Sequence, residues 1–537
     1  MTARRERMLT TAATVAVAVV TLGLVGADGP APAEPAAMVG GPFARLLDDA
    51  SDLGPAGDRR VQLTVALHRA AEPVRLTRWA GRHGLSVRWR AGDDWAILEG
   101  PATAVADAFG VAVHDYRALS GPEPGRVFYA SPQQPNVPPA ARPEVAGMGR
   151  ILSYAPYRTA LPPTPPRDVP DGGLLPNQLH TAYNADPLIA AGYTGSGTTV
   201  VVFSFDGFSQ QDMDSFADWF NLPRFTVEVV GGMPSQRTGE STMDLQLIHA
   251  VAPDAKKVMV NARSTVEDGG SLEKVGRLME SVARRFPGAI WSLSVGWGCD
   301  RLFTPADLAP VRAALAAAVR RGTTAFDATG DLAGLECRGG KNWSDPPSPD
   351  DVGVDAVASL PEMTSVGGTT LSTTAAGEWL AEQAWYDVPL TQGSAGGAST
   401  LFARPPWQIV NSSAGPADRR LVPDVSAVAD PFTGVKFVYN QQVFVGGGTS
   451  QAAPIWAGLA AVMNDTLDGQ GLEPLGNLNP DLYQVAKGSA VPGFRDIQLG
   501  GNAISPGGSG FDMVTGLGTP NVENLVKDIM LRRSVSR

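Results

Sequence analysis

Cysteines are scarce in this sequence and basic residues are outnumbered, and both features narrow the classes of protein to consider. Its 537 residues include two cysteines, Cys299 and Cys337, so the chain can form at most one disulfide. Each follows a predicted strand of the same sheet, which permits the pairing and leaves two unpaired thiols as the alternative. The 43 lysines and arginines face 54 aspartates and glutamates, and this net charge of −11 argues against a nucleic-acid partner.

Long apolar runs are also missing, except at the N terminus. Residues 1–37 begin with an arginine-rich stretch, continue with an uncharged apolar run and end in small residues and prolines. This pattern predicts a secretory signal peptide, and hence a secreted, extracellular protein. An uncleaved membrane anchor is the alternative, because the run is about long enough to span a bilayer. No membrane association is expected otherwise.

The remainder is too long for one hydrophobic core, so at least two domains are expected. In residues 38–155, period-two apolar patterns predict strands at 61–67, 95–100, 111–116 and 127–129, with helices at 73–83 and 101–109. Strands interleaved with two helices in this way favour a ferredoxin-like α+β sandwich. Residues 156–176 contain seven prolines and predict an extended, exposed linker that is open to proteolytic cutting.

From residue 177 to residue 537 continuous apolar strands alternate with helices. Strands are predicted at 198–203, 257–260, 289–295, 323–326 and 363–366, and helices at 271–285 and 305–321. This alternation predicts a parallel sheet covered on both faces, with functional residues at the carboxyl ends of its strands.

The stretch Gly446–Pro454 is the strongest candidate for a nucleophile. It lies between a predicted strand at 442–445 and a predicted helix at 455–463, and its three glycines allow a sharp turn. Pro454 is expected in the first turn of that helix. Ser450 would then present its hydroxyl at a strand-to-helix turn, as serine nucleophiles do, or would merely cap the helix.

Three carboxylates are candidates for acid–base chemistry. Glu240 and Asp244 are four residues apart at a predicted helix start and therefore share a face, although two solvated acids are the commoner case. Asp331 follows a predicted strand and would lie at the carboxyl edge of the sheet, or would serve only as a turn residue. Asp327 is its nearest competitor.

Near the C terminus, Asp496 and Asp512 flank a glycine-rich loop. Two carboxylates with glycine carbonyls between them suit calcium, whereas a plain Gly/Asp turn is the alternative.

Taken together, these motifs resemble the sedolisin family of serine-carboxyl peptidases. Besides the motifs above, the matching segments are Ser292–Gly296, Gly330–Asp331, Ser365–Thr369 and Arg420–Ala427, in the family's order along nearly the whole chain. The resemblance implies a subtilisin-like, doubly wound parallel-sheet catalytic domain at 177–537. A ferredoxin-like inhibitory and chaperoning pro-domain would precede it at 38–155, with the maturation site in the linker.

The resemblance also implies residue roles. Ser450 would be the nucleophile, Glu240 its general base, Asp244 the partner of Glu240, and Asp331 the oxyanion partner. One calcium ion would be held by a set of side chains and carbonyls, namely Asp496, Ile497, Gly508, Gly510 and Asp512.

Two departures from the family pattern concern the catalytic region. Family members often have an acidic residue at the end of the first catalytic-domain strand, where this chain offers either Ser204 or Asp206. The segment Trp291–Trp297 also differs from the usual S-W-G motif, which leaves the substrate pocket undefined.

The sequence thus predicts a secreted, acid-acting serine-carboxyl peptidase made as a proenzyme, either an endopeptidase or a tripeptidyl-peptidase. Its expected partners are polypeptide substrates and its own pro-domain, and it is expected to be a monomer. The enzymatic alternative is a histidine-based subtilisin with His249 as the base, although no glycine follows that histidine. The non-enzymatic alternative is an inactive sedolisin-like binding protein.

Overall fold

The computed structural model describes residues 36–120, 123–154, 158–159, 172–267, 271–338, 347–388, 392–411, 414–488 and 491–535. The predicted signal peptide and most of the predicted linker lie outside these residues. Within them, no helix combines the length and the apolar character needed to cross a bilayer.

The first unit consists of two antiparallel sheets and short helices. Its helices are α1 (Pro42–Asp48), α2 (Val74–Arg82) and α3 (Ala102–Phe109), and its strands are β1 (Ala50–Pro55), β2 (Arg60–Leu67), β3 (Ser86–Arg88), β4 (Trp95–Pro101), β5 (His114–Ala118), β6 (Val127–Ala130) and β7 (Val145–Met148). The larger sheet has the order β3-β4-β2-β7, and the smaller one has the order β1-β5-β6.

The core of this unit follows from the alternation that the sequence shows. Val61, Leu63 and Val65 of β2 are buried on one face of the larger sheet, where Trp79 of α2 and Phe109 of α3 belong to the same cluster. Two helices against an antiparallel sheet give the predicted ferredoxin-like α+β arrangement. The strand predicted at 111–116 begins later, as β5, and pairs in the smaller sheet.

The second part is built on one central sheet. Its helices are α4 (Gln178–Ala182), α5 (Asp186–Ala190), α6 (Gln210–Trp219), α7 (Glu240–Val251), α8 (Leu272–Arg285), α9 (Ala309–Val319), α10 (Thr449–Gly469), α11 (Leu478–Lys487) and α12 (Val522–Val535). Its strands, after the linker strand β8 (Arg158–Thr159), are β9 (Thr199–Ser204), β10 (Val227–Val230), β11 (Lys256–Asn261), β12 (Ile290–Leu293), β13 (Val295–Gly296), β14 (Thr324–Ala328), β15 (Thr364–Thr373), β16 (Trp379–Ala384), β17 (Tyr386–Asp387), β18 (Gln392–Gly393), β19 (Gly397–Ala403), β20 (Arg419–Val422), β21 (Val425–Val428), β22 (Lys436–Tyr439), β23 (Gln442–Val445), β24 (Phe494–Arg495) and β25 (Thr519–Pro520).

The order β10-β11-β9-β12-β14-β15 is parallel throughout, and β15 also pairs with β21 in parallel and with β16 antiparallel. Helices cover both faces. Val200 and Val202 of β9 belong to the core that contains α7 and α10, whereas Val201 and Phe203 belong to the core that contains α8 and α9. The second part is therefore the doubly wound α/β domain that the sequence predicts.

The predicted strand at 442–445 is observed as β23, which pairs with β22 in a hairpin outside the central sheet. Three other local predictions need correction. The strand predicted at 289–295 is interrupted at Ser294, and the helix predicted from residue 305 begins at Ala309. Pro454 lies in the second turn of α10, because that helix begins at Thr449 rather than after the glycines and Ser450.

Candidate active site

Ser450 is the second residue of α10 and follows the turn made by Gly446–Gly448. The turn needs glycine at position 448, where φ is +81° and an added Cβ would lie 2.7 Å from Oδ2 of Asp331. Ser450 is 5% exposed. The residue therefore lies at the positive end of a long helix with little of its surface exposed.

Pro454 changes the hydrogen bonding of the nucleophile's own backbone. Proline has no N–H, so the carbonyl of Ser450, four residues earlier, has no intrahelical donor. The Ser294 hydroxyl lies 3.2 Å from that carbonyl and can donate to it. In return, the Ser450 hydroxyl lies 3.5 Å from the Ser294 carbonyl. The interruption between β12 and β13 thus places Ser294 against the start of α10.

Glu240 and Asp244 lie on α7, as the spacing predicts, and both are buried. Glu240 is the first residue of the helix, where the dipole favours a carboxylate. Oδ1 of Asp244 lies 3.0 Å from the Ser294 hydroxyl, which donates to it. Ser294 therefore contacts both the acid pair and the helix of Ser450, although sequence reasoning assigned it no role.

Burial and neighbouring charge set the proton affinity of this pair. Burial raises the pKa of Glu240 well above its usual range, and the nearby carboxylates of Asp244, Asp206 and Asp331 add to the effect. A hydrogen bond with Ser450 acts in the opposite direction. The pKa of Asp244 is also raised, mainly by burial, while the hydrogen bond from Ser294 opposes the shift. The pair can therefore hold a proton in mild acid.

Asp206 is one of the two residues considered above for the acidic position that family members have at the end of the first catalytic-domain strand. Its Oδ2 accepts hydrogen bonds from Thr238 N (2.8 Å), Thr238 Oγ1 (2.8 Å) and Gly239 N (3.1 Å). Its Oδ1 accepts from Ser241 N at 3.0 Å and also from the Ser241 hydroxyl. Asp206 thus caps the helix that begins at Glu240, whereas the buried hydroxyl of Ser204 has no partner within the described residues.

Asp331 lies just past the carboxyl end of β14 and faces the nucleophile turn. Its Oδ1 accepts hydrogen bonds from Thr449 N at 2.7 Å and Thr449 Oγ1 at 3.0 Å. Thr449 Oγ1 accepts in turn from Gly330 N at 3.0 Å. The competing residue, Asp327, lies within β14, fully buried in the protein interior. The structure therefore brings Ser450, Glu240, Asp244 and Asp331 together, as predicted, and excludes Asp327.

His249 does not lie where the histidine alternative requires it. Its Nε2 lies 2.6 Å from the carbonyl of Pro223, and its ring stacks on Phe225 with centroids 3.9 Å apart. Burial lowers the pKa of this imidazole to about 3. We therefore place His249 in the packing of the α7 flank, away from Ser450.

The two carboxylates predicted to bind calcium face the same short stretch of the C-terminal loop. Asp496 accepts hydrogen bonds from Gly510 N at 3.1 and 3.0 Å, through its two oxygens. Asp512 is buried and accepts from Gly508 N at 3.0 Å. Both ends of the loop thus bring a carboxylate to the residues between them.

Backbone carbonyls converge on the same loop. An added Cβ on Gly507 would lie 3.3 Å from the carbonyl oxygen of Leu499 and 3.4 Å from those of Gly500 and Ile497. Carboxylate and carbonyl oxygens are the donors that calcium prefers. The carboxylates of Asp496 and Asp512 and the carbonyl of Ile497 are therefore suitable ligands for the predicted calcium ion.

The two cysteines form a disulfide, Cys299–Cys337, which settles the choice left open by the sequence. Cys299, Asp300 and Cys337 are also the one group of three metal-ligand side chains found close together within the described residues. Because both sulfurs are bonded to each other, this group is not a metal site.

Comparison with known proteins finds peptidases that match most of the chain. Kumamolisin from Bacillus sp. (strain MN-32) is 29% identical over 478 residues, which are 83% of this chain and 80% of that protein. Tripeptidyl-peptidase 1 of Mus musculus is 27% identical over 458 residues, covering 77% of this chain and 75% of that protein. No family model matches the chain.

The solved structure of Pseudomonas sedolisin, a serine-carboxyl proteinase complexed with two molecules of pseudo-iodotyrostatin, matches with a TM-score of 0.56. It is 26% identical and covers 67% of this chain and 98% of that one. The chain is therefore similar to the peptidases of the sedolisin family over most of its length. It is accordingly a serine peptidase with a subtilisin-like catalytic domain, and its substrates are polypeptides.

Proposed function

We propose that this sedolisin-like peptidase is a secreted enzyme that is made as a proenzyme and acts in acid. Its nucleophile is Ser450, its general base Glu240 and its oxyanion partner Asp331. The observation that carries the proposal is the position of the Ser450 hydroxyl at the N terminus of α10, beside the buried carboxylate of Glu240 and opposite Asp331. A hydroxyl beside a carboxylate base is the arrangement that nucleophilic catalysis requires.

The reaction follows from these positions. Ionised Glu240 takes the Ser450 proton as Oγ attacks the scissile carbonyl carbon, and the protonated Asp331 donates a hydrogen bond to the oxyanion that forms. Glu240 then gives its proton to the leaving amine as the C–N bond breaks. Water attacks the acyl-enzyme in the same way and restores both groups. Asp244 shares the proton of the pair, so that Glu240 remains a usable base in acid.

The substrate strand has a place beside the nucleophile. Linker residues Thr159 and Arg158 pair antiparallel with Val295 and Gly296, directly after Ser294. An extended polypeptide that adds to this short strand would therefore pass the Ser450 hydroxyl. The pairing supports both a polypeptide substrate bound as a β-strand and a maturation cut within 156–176.

The first unit is proposed to be the inhibitory pro-domain, residues 38–155, on the catalytic domain at 177–537. Arginine–carboxylate pairs join the two parts through α8 at 2.5–2.8 Å, namely Arg88–Glu273, Arg90–Glu280 and Asp93–Arg277. Phe43, Tyr116, Phe128 and Tyr154 also belong to the same hydrophobic core as Trp297. Such a contact covers apolar surface beside the substrate strand and suits a folding assistant as well as an inhibitor.

Calcium is proposed to bind in the C-terminal loop through Asp496 and Asp512, with the carbonyls of Ile497, Gly508 and Gly510. The ion would take no part in the chemical steps. It would neutralise the two carboxylates and stabilise the loop between them.

A single set of experiments tests the proposed function. Wild-type protein and Ser450→Ala are held at about pH 4, and processing and peptide cleavage are followed by mass spectrometry. Wild type should lose residues up to the linker and cut added peptides, while Ser450→Ala should remain intact and inactive with an unchanged circular dichroism spectrum. A Ser450→Ala protein that processes itself at the wild-type rate would refute the assignment.

A further inference from the structure

The turn that carries Asp331 is held by a side chain that the proposed chemistry does not use. Oε1 of Glu336 accepts a hydrogen bond from Leu332 N at 2.8 Å. The same carboxylate packs against Gly330, where an added Cβ would lie 2.7 Å from the Glu336 carboxyl carbon. Because φ of Gly330 is +107°, glycine is required there for conformation as well as for space. Glu336 therefore contacts the residues on both sides of Asp331.

The backbone next to Glu336 is held by a disulfide. The residue after Glu336, Cys337, is bonded to Cys299, and both cysteines are buried. Cys299 lies five residues after Ser294, and Cys337 lies six residues after Asp331. The disulfide thus joins the segment that contacts Asp244 and Ser450 to the segment that carries Asp331.

The backbone of Asp331 is held within the same turn. Its backbone carbonyl accepts from Gly393 N at 3.0 Å, and Ala333 N donates to the Gly393 carbonyl at 3.0 Å. Its carboxylate meets Thr449, the residue before Ser450. A shift of the backbone between Gly330 and Leu332 would therefore move the carboxyl relative to the nucleophile.

We propose that Glu336, fixed in place by the Cys299–Cys337 disulfide, is a positioning residue that sets the Asp331 carboxyl opposite Ser450. The inference rests on the proposed oxyanion role of Asp331. Loss of one oxyanion donor typically lowers kcat about 100-fold or more, and a displacement of about 1 Å can have an effect of similar size. Contacts that hold this turn should therefore affect kcat, while substrate affinity depends on the proposed pairing of the substrate with β13.

The test measures kcat and KM of the full chain after acid processing, normalised to titrated active sites. Glu336→Ala should lower kcat at least about tenfold with KM changed less than about twofold. Glu336→Gln keeps an acceptor oxygen for Leu332 N and should retain most of kcat. Glu362→Ala is the matched control, because that carboxylate pairs with Arg312 on α9, outside the site.

Double variants separate positioning from general damage. In the Asp331→Asn background, Glu336→Ala should lower kcat by less than about twofold, because its effect passes through Asp331. Replacement of both cysteines by serine should lower kcat in the wild-type background and add little in the Asp331→Asn background. A Glu336→Ala enzyme with wild-type kcat, or a loss that multiplies with that of Asp331→Asn, would overturn the inference. Full activity of Asp331→Asn alone would instead overturn the proposed function.

Discussion

The Ser294 hydroxyl lies 3.0 Å from Oδ1 of Asp244 and 3.2 Å from the carbonyl of Ser450. One side chain thus connects the buried acid pair on α7 with the helix that carries the nucleophile. The second contact is possible because Pro454, the sixth residue of α10, has no N–H to donate to the Ser450 carbonyl. The break in the strand at Ser294 brings a hydroxyl to that carbonyl.

Replacement of Ser294 by alanine should lower kcat and move the acid limb of the pH profile to lower pH. The hydrogen bond from Ser294 opposes the rise in the pKa of Asp244, so its loss raises that pKa further. Asp244 then keeps the proton of the pair and places less negative charge beside Glu240, so Glu240 stays ionised to lower pH. We expect a loss of about tenfold in kcat near the optimum, since one buried hydrogen bond to a charged group is removed.

Ser292→Ala is the control for this variant. Ser292 is buried on the same segment, two residues earlier, and its hydroxyl has no partner among the described residues. The control should keep the wild-type pH profile. An acid limb that stays in place in Ser294→Ala, or moves equally in Ser292→Ala, would contradict the role of Ser294.

Asp206→Asn should also move the acid limb to lower pH. The negative charge of Asp206 raises the pKa of both Glu240 and Asp244, so its removal should lower both. Glu240 would then stay ionised at lower pH. In the wild type, Asp206 accepts hydrogen bonds from N–H groups at the start of α7. The asparagine amide would place a donor against some of these N–H groups, which should lower the stability by about 1–2 kcal/mol. Kinetics between about pH 2 and 6 would check the shift, and an unmoved acid limb would argue against electrostatic coupling.

The enzyme should be more stable in acid than at neutral pH, and Asp327 is one cause. Within the described residues neither carboxylate oxygen of Asp327 has a hydrogen-bond partner, and burial raises its pKa well above the usual range. Burial likewise raises the pKa of Asp355 to about 7 and that of Asp307 to about 6. The folded state holds these protons more tightly than the unfolded state. Stability is therefore greatest below the unfolded pKa of about 4 and is lost as pH rises through the folded values.

Asp327→Asn removes the contribution of the Asp327 carboxyl group to the pH dependence of stability. Relative to wild type, the variant should gain roughly 1.4 kcal/mol for each pH unit between the unfolded and folded pKa values. Urea unfolding at about pH 4 and about pH 7 would measure the difference, with Asp468→Asn on the exposed end of α10 as the control. The same change in stability for both variants would contradict this explanation.

Removal of calcium should lower the melting temperature without changing the acid limb of activity. The ion binds the folded loop and stabilises it by mass action, by about 3 kcal/mol at a free concentration near 100 times the dissociation constant. Asp512→Ala should abolish the effect of added chelator, because the binding site is then incomplete. If chelator lowers the melting temperature of Asp512→Ala as much as that of wild type, calcium binds elsewhere.

Sequence patterns predicted the sheet and the four candidate catalytic residues, because apolar periodicity and short spacings are local properties. Glu240 and Asp244 share a helix face by their spacing alone, and Ser450 follows a glycine turn. Ser294 escaped prediction because its contacts cross about 50 and 156 positions of the chain to residues on two helices. The sequence could not decide between Ser204 and Asp206. The residue that reaches the N terminus of α7 depends on the path of the chain after β9, which is not a local property of the sequence.

The position of Pro454 shows a different limit. Proline is common in the first turn of a helix, so the sequence predicted that the helix starts after the glycines and Ser450. The helix instead begins at Thr449, whose N–H donates to Asp331, and the Ser294 hydroxyl lies within hydrogen-bonding distance of the carbonyl that Pro454 leaves without an intrahelical donor. The contacts that offset the missing hydrogen bond are tertiary, and no propensity includes them.

The pH dependence of kcat/KM for the processed enzyme and for Glu240→Gln tests the carboxylate mechanism most directly. The mechanism needs Glu240 ionised as a base, with the proton of the pair on Asp244, and Asp331 protonated as a donor. It predicts a bell-shaped profile with its maximum in the acid range, at about pH 3–5 for ordinary carboxylates and higher to the extent that burial raises the pKa of Glu240. Glu240→Gln should have lost nearly all activity at every pH. A wild-type maximum near about pH 8, where a neutral imidazole would be the base, or full activity of Glu240→Gln, would contradict the account.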